Sequence, residues 1–197
     1  NIALNTIMAE ELSKFADVLE NAEDFDAALQ QLVCQAFTNH QRIIFDGNGY
    51  SDQWAKEAAR RGLSNYPTTA ECLPSYVSDK NVELVTRHGI FTEAEFRARY
   101  AIHMEAYNKI VGIEARTMLD MAVHQILPAA MRYTHELCNA LAVKKNLGVS
   151  CHAESVLVRH LSNGTDSLYD AIDTLRHAME VIPKEAVDAA MYYHDTI

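Results

Sequence analysis

From Thr92 to Ala122 the chain carries one unbroken helical signal, and no other stretch constrains the architecture as much. Phe96, Tyr100, Met104, Tyr107, Val111, Ala115, Met118 and Ala122 recur at steps of 4, 4, 3, 4, 4, 3 and 4. Such steps average close to the period of a straight α-helix, so the apolar stripe stays on one side for roughly seven turns. Thr92-Glu93-Ala94-Glu95 has the form of a capping box at its start. Gly112 is the one weak point inside it, costing about 1 kcal/mol relative to alanine. Glu93–Arg97, Glu95–Arg99 and Glu105–Lys109 are i,i+4 pairs of favourable polarity on its outer surface. Pro128 predicts a kink, because proline removes a hydrogen bond and crowds the carbonyl of His124. The apolar pattern resumes through Leu141, and Gly148 ends it. Leu168, Ile172, Leu175, Met179 and Ile182 then form a short heptad-like stripe. Pro183 fits the first turn of a last helix containing Val187, Ala190 and Met191.

The N-terminal part is built of shorter pieces. Leu4, Met8, Leu12, Phe15 and Leu19 mark one face of a helix, with Asn21 and Asp24 as punctuation. A second helix places Phe25, Leu29, Leu32, Val33 and Ala36 on one side. Arg42-Ile43-Ile44-Phe45 is the one strand-like run, and it leads into the loop Asp46-Gly47-Asn48-Gly49-Tyr50. Ser51 caps a short helix ended by Gly62, and Ser78 another closed by Gly89. Pro67 and Pro74 predict an irregular stretch over 63–77.

Composition excludes several classes. Only 7 glycines and 4 prolines in 197 residues leave too few turns for an all-β sandwich or barrel. No apolar run approaches membrane length, and Asn1-Ile2-Ala3-Leu4-Asn5 lacks the basic start of a signal peptide. A net charge of −10 disfavours nucleic acid and anionic lipid as partners. Cys34, Cys72, Cys138 and Cys151 are scattered without a CxxC, and read as buried thiols of a cytoplasmic protein. The expected fold is all-α, with long antiparallel helices forming a bundle. Its loop-rich N-terminal part contains at most one short strand. The whole of 1–197 reads as one helical domain, with short helices and loops over 1–90 and the long-helix bundle over 91–197.

The chemistry-bearing residues assemble no ligand set. Asp120 and His124 lie one turn apart, but a metal site needs three or four ligands and the preceding turn offers only Arg116. An ion pair of Arg116 with Asp120, or with a neighbouring chain, is the simpler expectation. His135 and Cys138 have i,i+3 spacing with no partner pair elsewhere. His103 sits beside Met104 and reads as a hydrogen-bonded core histidine. The 46–50 loop could offer backbone N–H groups to an anion ahead of a helix N-terminus. No lysine follows it as in a P-loop, however, and Asp46 and Asp52 repel phosphate. No residue is assigned a catalytic, cofactor-binding or metal-binding role.

Two long strings carry a family resemblance. One is Arg42-Ile43-Ile44-Phe45-Asp46-Gly47-Asn48-Gly49-Tyr50-Ser51-Asp52-Gln53-Trp54 with Glu57-Ala58-Ala59-Arg60-Arg61-Gly62-Leu63. The other is Ile113-Glu114-Ala115-Arg116-Thr117-Met118-Leu119-Asp120-Met121 with Gln125-Ile126-Leu127-Pro128-Ala129. Both resemble the C-terminal region of type III glutamine synthetases, and the likeness covers roughly residues 1–145. It implies a parent enzyme that joins ammonia to glutamate with ATP and Mg or Mn ions. The resemblance also implies cytoplasmic location and stacked hexameric rings. In such an enzyme the metal-binding carboxylates and phosphate-binding arginines lie upstream in the catalytic core. Residues 1–197 would then be a C-terminal piece, cut at both ends, that packs on that core and supports assembly. The alternative from another class is an independent helical interaction module, with the Phe96–Ala122 stripe as its partner surface. A third is a stand-alone metal or phosphate enzyme built on Asp120, His124 or the 46–50 loop.

Overall fold

The computed structural model describes residues 1–197. The fold is all-α, 80% helical, with no strand. The helices are α1 (Ile2–Glu20), α2 (Phe25–Asn39), α3 (Asp52–Arg60), α4 (Thr69–Tyr76), α5 (Asp79–Arg87), α6 (Glu93–Met121), α7 (Leu127–Asn146), α8 (His152–Glu180) and α9 (Ala186–Thr196). A π-helical turn, Ala122–Ile126, joins α6 to α7, so Glu93–Asn146 is one helix of 54 residues. The chain divides into two compact units, Asn1–Ala101 and Ile102–Ile197. No helix is long and apolar enough to cross a membrane.

Local signals set most helix ends. Asp24 accepts a hydrogen bond from the Ala27 N–H at 3.1 Å, and Ser51 Oγ accepts one from Trp54 N–H at 3.3 Å. The capping box at α6 closes both ways: Thr92 N–H donates to Glu95 Oε2 at 2.9 Å, and Glu95 N–H donates to Thr92 Oγ1 at 3.3 Å. Gly62, Gly89 and Gly148 each stop a helix at positive φ. At each, the glycine N–H and the next residue's N–H reach back to carbonyls of the last turn, as from Gly148 to Lys145 and from Val149 to Lys144.

Residues 63–68 are irregular as expected, but 69–76 are helical. Thr68 and Glu71 form a second capping box, which opens α4 despite Pro74 inside it. Pro74 removes one intrahelical bond, and α4 ends two residues later. Pro183 likewise lies ahead of α9, whose N-cap is Glu185, and Ser78 precedes α5 without a side-chain cap bond.

In the first unit, the core packs Val82, Val85 and Phe96 against Tyr76, Val77 and Phe91. Phe96 stacks on Tyr76 at 4.4 Å and on Phe91 at 5.9 Å between ring centroids. The face of α1 differs from the sequence expectation. Leu4, Met8 and Leu12 are exposed, and the buried residues are Thr6 and Glu10. Glu10 bonds Arg87 Nη1 at 2.6 Å in the last turn of α5 and His88 Nε2 at 2.7 Å at its C-cap. The hydrogen bond from His88, with Lys14 and Arg87 nearby, holds the Glu10 carboxyl below its ordinary range. A polar clasp therefore docks α1, and its apolar stripe is left uncovered.

In the second unit, the α6 stripe is inside as expected at Met104, Ala115 and Ala122, with Met104 only 1% exposed. Met118 is exposed and half-buried Leu119 lies on the inner side instead. Asn108 Nδ2 donates to the Ala186 carbonyl at 2.8 Å, and Tyr192 Oη donates to the Ala178 carbonyl at 2.9 Å, which tie α9 to α6 and α8. Gly112 is buried against α9: a Cβ there would lie 2.7 Å from Tyr193 Oη. The expected weak point is a close-approach site. α7 and α8 pair as a hairpin, closed near its loop by Lys144 and Glu154.

Candidate functional site

The stretch with the most local chemistry runs from Arg42 to Asn65. Arg42-Ile43-Ile44-Phe45 does not form a strand; Gln41–Ile43 is a turn of 3₁₀-helix. Arg61 binds the run instead. Its Nη1 donates to the Ile44 carbonyl at 2.7 Å and to the Arg42 carbonyl at 3.2 Å. In an all-α chain with no strand to pair with, the guanidinium satisfies two carbonyls of the run. The same Arg61 pairs with Glu57 and lies 5.7 Å from the Trp54 ring centre. Phe45 packs on Trp54 at 4.3 Å between ring centroids. Gly47 is required beneath this pair, since a Cβ there would come within 2.7 Å of the Phe45 ring.

Past Gly47 the loop is stitched to α3. Asn48 Oδ1 accepts from Tyr50 N–H at 3.0 Å, and the Asn48 carbonyl accepts from Ser51 Oγ at 2.8 Å. The Tyr50 ring is left fully exposed. An open cleft of about 320 Å³ lies beside it, lined by Tyr50, Asp52, Trp54, Leu63, Ser64 and Asn65 among others. Asp52 is the one charged side chain in that lining. With no lysine or arginine to offset an anion, the cleft does not suit phosphate. It holds no nucleophile and base pair either, so it supplies no acyl- or phosphoryl-transfer chemistry of its own.

Glu57 is the most perturbed acid of this region. Hydrogen bonds from Arg60 and Arg61 lower its pKa to about 2. A depressed carboxylate stabilises the fold above its unfolded pKa and loses that contribution as pH falls through the folded value. Stability is therefore expected to decline from about pH 4.5 to about pH 2. Glu57→Gln should flatten part of that slope in thermal melts across the window. An unchanged slope would mean that the pair with Arg61 does not bear on folding.

The other sequence candidates stand apart. Asp120 pairs with His124 at 3.0 Å, both exposed, and not with Arg116. His135 Nε2 accepts from the Asn139 amide at 3.1 Å, and Cys138 is exposed. His103 is exposed on α6, so it is not a core histidine. Cys34, Cys72 and Cys138 are exposed and Cys151 half-buried, so the thiols are not core residues; α2, which carries Cys34, buries none of its side chains. No group of three or more His, Cys, Asp or Glu side chains could hold a metal ion. Sequence reasoning missed Arg61, Glu10 and the Gly112–Tyr193 approach, all tertiary contacts. The Thr68–Glu71 spacing was a readable local signal for α4.

Residues 28–145 match the family model described as the glutamine synthetase C-terminal domain. This chain belongs to that family. The matched span takes in most of α2, the Arg61-organised loop, and the long helix to the end of α7. Among curated relatives, a glutamine synthetase of Butyrivibrio fibrisolvens is 32% identical over 181 residues, covering 90% of this chain and 26% of the relative. A type-3 glutamine synthetase of Dictyostelium discoideum is 32% identical over 143 residues, covering 71% of this chain and 20% of the relative. A glutamine synthetase of Bacteroides fragilis is 32% identical over 150 residues, covering 74% and 21%. The chain thus spans about a quarter or less of the length of these glutamine synthetases.

Proposed function

We propose that this chain is the supporting C-terminal helical region of a type III glutamine synthetase. In this reading it packs on the catalytic core and stabilises the oligomer, and contributes no catalytic residue. Residues 1–90 pack toward the core and residues 91–197 form the long-helix bundle. The observation that carries the reading is the exposed apolar stripe of α1. Leu4, Met8 and Leu12 are 68%, 59% and 58% exposed on one helix face. A stripe of that kind marks a surface made to be covered.

The parent's reaction joins ammonia to glutamate at the expense of ATP in the cytoplasm, with divalent metal ions. The residues of this chain do not fit ATP or its metals. No three ligands converge, and the one charged group in the cleft, Asp52, has the wrong sign for phosphate. No catalytic step is therefore assigned to them. The stacked-ring oligomer is carried into this reading by the resemblance alone.

The test is to assay the 197-residue chain for ATP-dependent glutamine formation. No turnover is expected, and measurable turnover would overturn the reading. The packing role has its own arm: Met8→Asp with Leu12→Asp, introduced into the full parent enzyme, is expected to abolish the assembled soluble enzyme. In the 197-residue chain the same pair should leave helix content unchanged, since both positions face solvent. A parent that assembles normally with both substitutions would remove α1 as the docking element.

A further inference from the structure

Asparagine is followed by glycine twice in this chain, at Asn48-Gly49 and at Asn163-Gly164. An asparagine amide beside glycine is chemically labile, because no Cβ shields the peptide nitrogen that can attack it. Both pairs are exposed, so exposure does not separate them. Their backbones do. Asn163 and Gly164 lie in the middle of α8, where the Gly164 N–H is a rung of the helix ladder. Attack there requires that rung to break and the backbone to turn out of helical φ/ψ. Asn48 and Gly49 lie in the loop ahead of α3, and the Gly49 N–H has no hydrogen-bond partner.

The loop also prepares the asparagine side chain. Asn48 Oδ1 accepts from Tyr50 N–H at 3.0 Å, so the amide group folds back across the Gly49 peptide. That bond polarises the Cγ carbonyl and favours negative charge on its oxygen. Asn48 Nδ2 makes no hydrogen bond that would retain it. Nothing packs over Gly49 either: a Cβ there would meet no atom within 4 Å. The nitrogen is therefore free, unshielded and next to an activated carbonyl.

We propose that Asn48 is a spontaneous modification site in the folded chain, deamidated through a cyclic imide formed with Gly49. The Gly49 nitrogen gives its proton to water and bonds to Asn48 Cγ. The Cγ–Nδ2 bond breaks, and ammonia leaves with a proton taken from solvent. Water then opens the imide ring. Cleavage of the ring nitrogen from Cγ gives aspartate. Cleavage from the main-chain carbonyl carbon gives isoaspartate, in which the chain runs through the former side chain. The net exchange is one water in and one ammonia out, with no change of oxidation state. Either product adds a negative charge between Asp46 and Asp52, in a chain already at −10. Isoaspartate also removes from the main chain the carbonyl that accepts from Ser51 Oγ at 2.8 Å and from Ser51 N–H at 3.2 Å. The loop thereby loses its stitch to the N-cap of α3.

Ageing the 197-residue chain for days at mildly alkaline pH, followed by peptide mapping by mass, tests this. Asn48 is expected to gain about 1 Da and to yield both aspartate and isoaspartate. Asn163 should react at least about tenfold more slowly, because it reacts only from states in which α8 has opened. In denaturing urea the two rates should converge. Gly49→Ala should slow the reaction at Asn48 at least about tenfold by shielding the nitrogen. That variant keeps its fold, since the φ of Gly49 is not positive and a methyl there meets nothing. An Asn48 that stays intact in the folded chain but reacts in urea would overturn the inference, as would equal rates at the two asparagines of the folded chain. So would a Gly49→Ala chain that reacts at the native rate, the mark of direct hydrolysis without an imide. The readout is the mass at one residue, so its outcome is independent of the packing role and of the inactivity proposed above.

Discussion

Gly112→Leu is expected to undock α9 and to lower stability by about 3 kcal/mol, at the upper end of overpacking costs. The position is buried, and the space a side chain needs is already taken. A Cβ alone would lie 2.7 Å from Tyr193 Oη and 3.4 Å from its Cζ. Tyr193 is itself buried, so its ring has no free volume into which to retreat. Denaturant melts should report the loss, and amide exchange should quicken across Ala186–Thr196 before the rest of the unit. The smaller change isolates the cause. Gly112→Ala should gain about 1 kcal/mol of helix propensity yet destabilise the native chain. In a Tyr193→Phe background the clashing hydroxyl is gone and the alanine should become neutral or stabilising. If alanine delivers its full propensity gain against the native tyrosine, Gly112 is not a close-approach site.

The second large effect is expected at Phe96, where truncation to alanine should cost about 4 kcal/mol. Phe96 is buried and fills the centre of the first unit's core, with Tyr76 and Phe91 stacked on it and Val82 and Val85 beneath. Removing the ring leaves two aromatic faces without a neighbour and opens a cavity that the helix caps on either side cannot close. The contrast is Met118, which belongs to the same sequence stripe but is exposed. Met118→Ala should shift stability by less than about 0.5 kcal/mol. Equal losses from the two substitutions in parallel urea titrations would mean that the stripe is buried evenly, contrary to the packing described.

These two residues also show what the amino-acid sequence can and cannot convey. Helix ends were legible where the determinant is local: Thr92 with Glu95, Asp24, Ser51, and the glycines at 62, 89 and 148. The α6 stripe was legible because seven turns of one period leave little room for another fold. The Leu4–Met8–Leu12 stripe was equally legible as apolar. Periodicity names the apolar face of a helix but not what covers it, and here nothing in the chain does. The run at 42–45 has the branched residues of a strand, yet Arg61, almost twenty residues on, claims its carbonyls. The 46–50 loop was visible as one wall of the cleft. The wall formed by Leu63, Ser64 and Asn65 was not, since the Gly62 turn brings it there only in the folded chain.

The π turn at Ala122–Ile126 has a consequence for the register of everything after it. Its Leu127 N–H reaches the Ala122 carbonyl five residues back. That widened loop gives the Pro128 ring room where an ordinary turn would press it on the His124 carbonyl. Such a turn amounts to one residue inserted into a helix, and one residue is about 100° of rotation. The azimuth at which α7 leaves α6, and hence the side on which the α7–α8 hairpin lies, is set by that single extra residue. Shortening Ala122–Ile126 by one residue would leave every side chain of α7 in place in the sequence and turn its half-buried edge toward water.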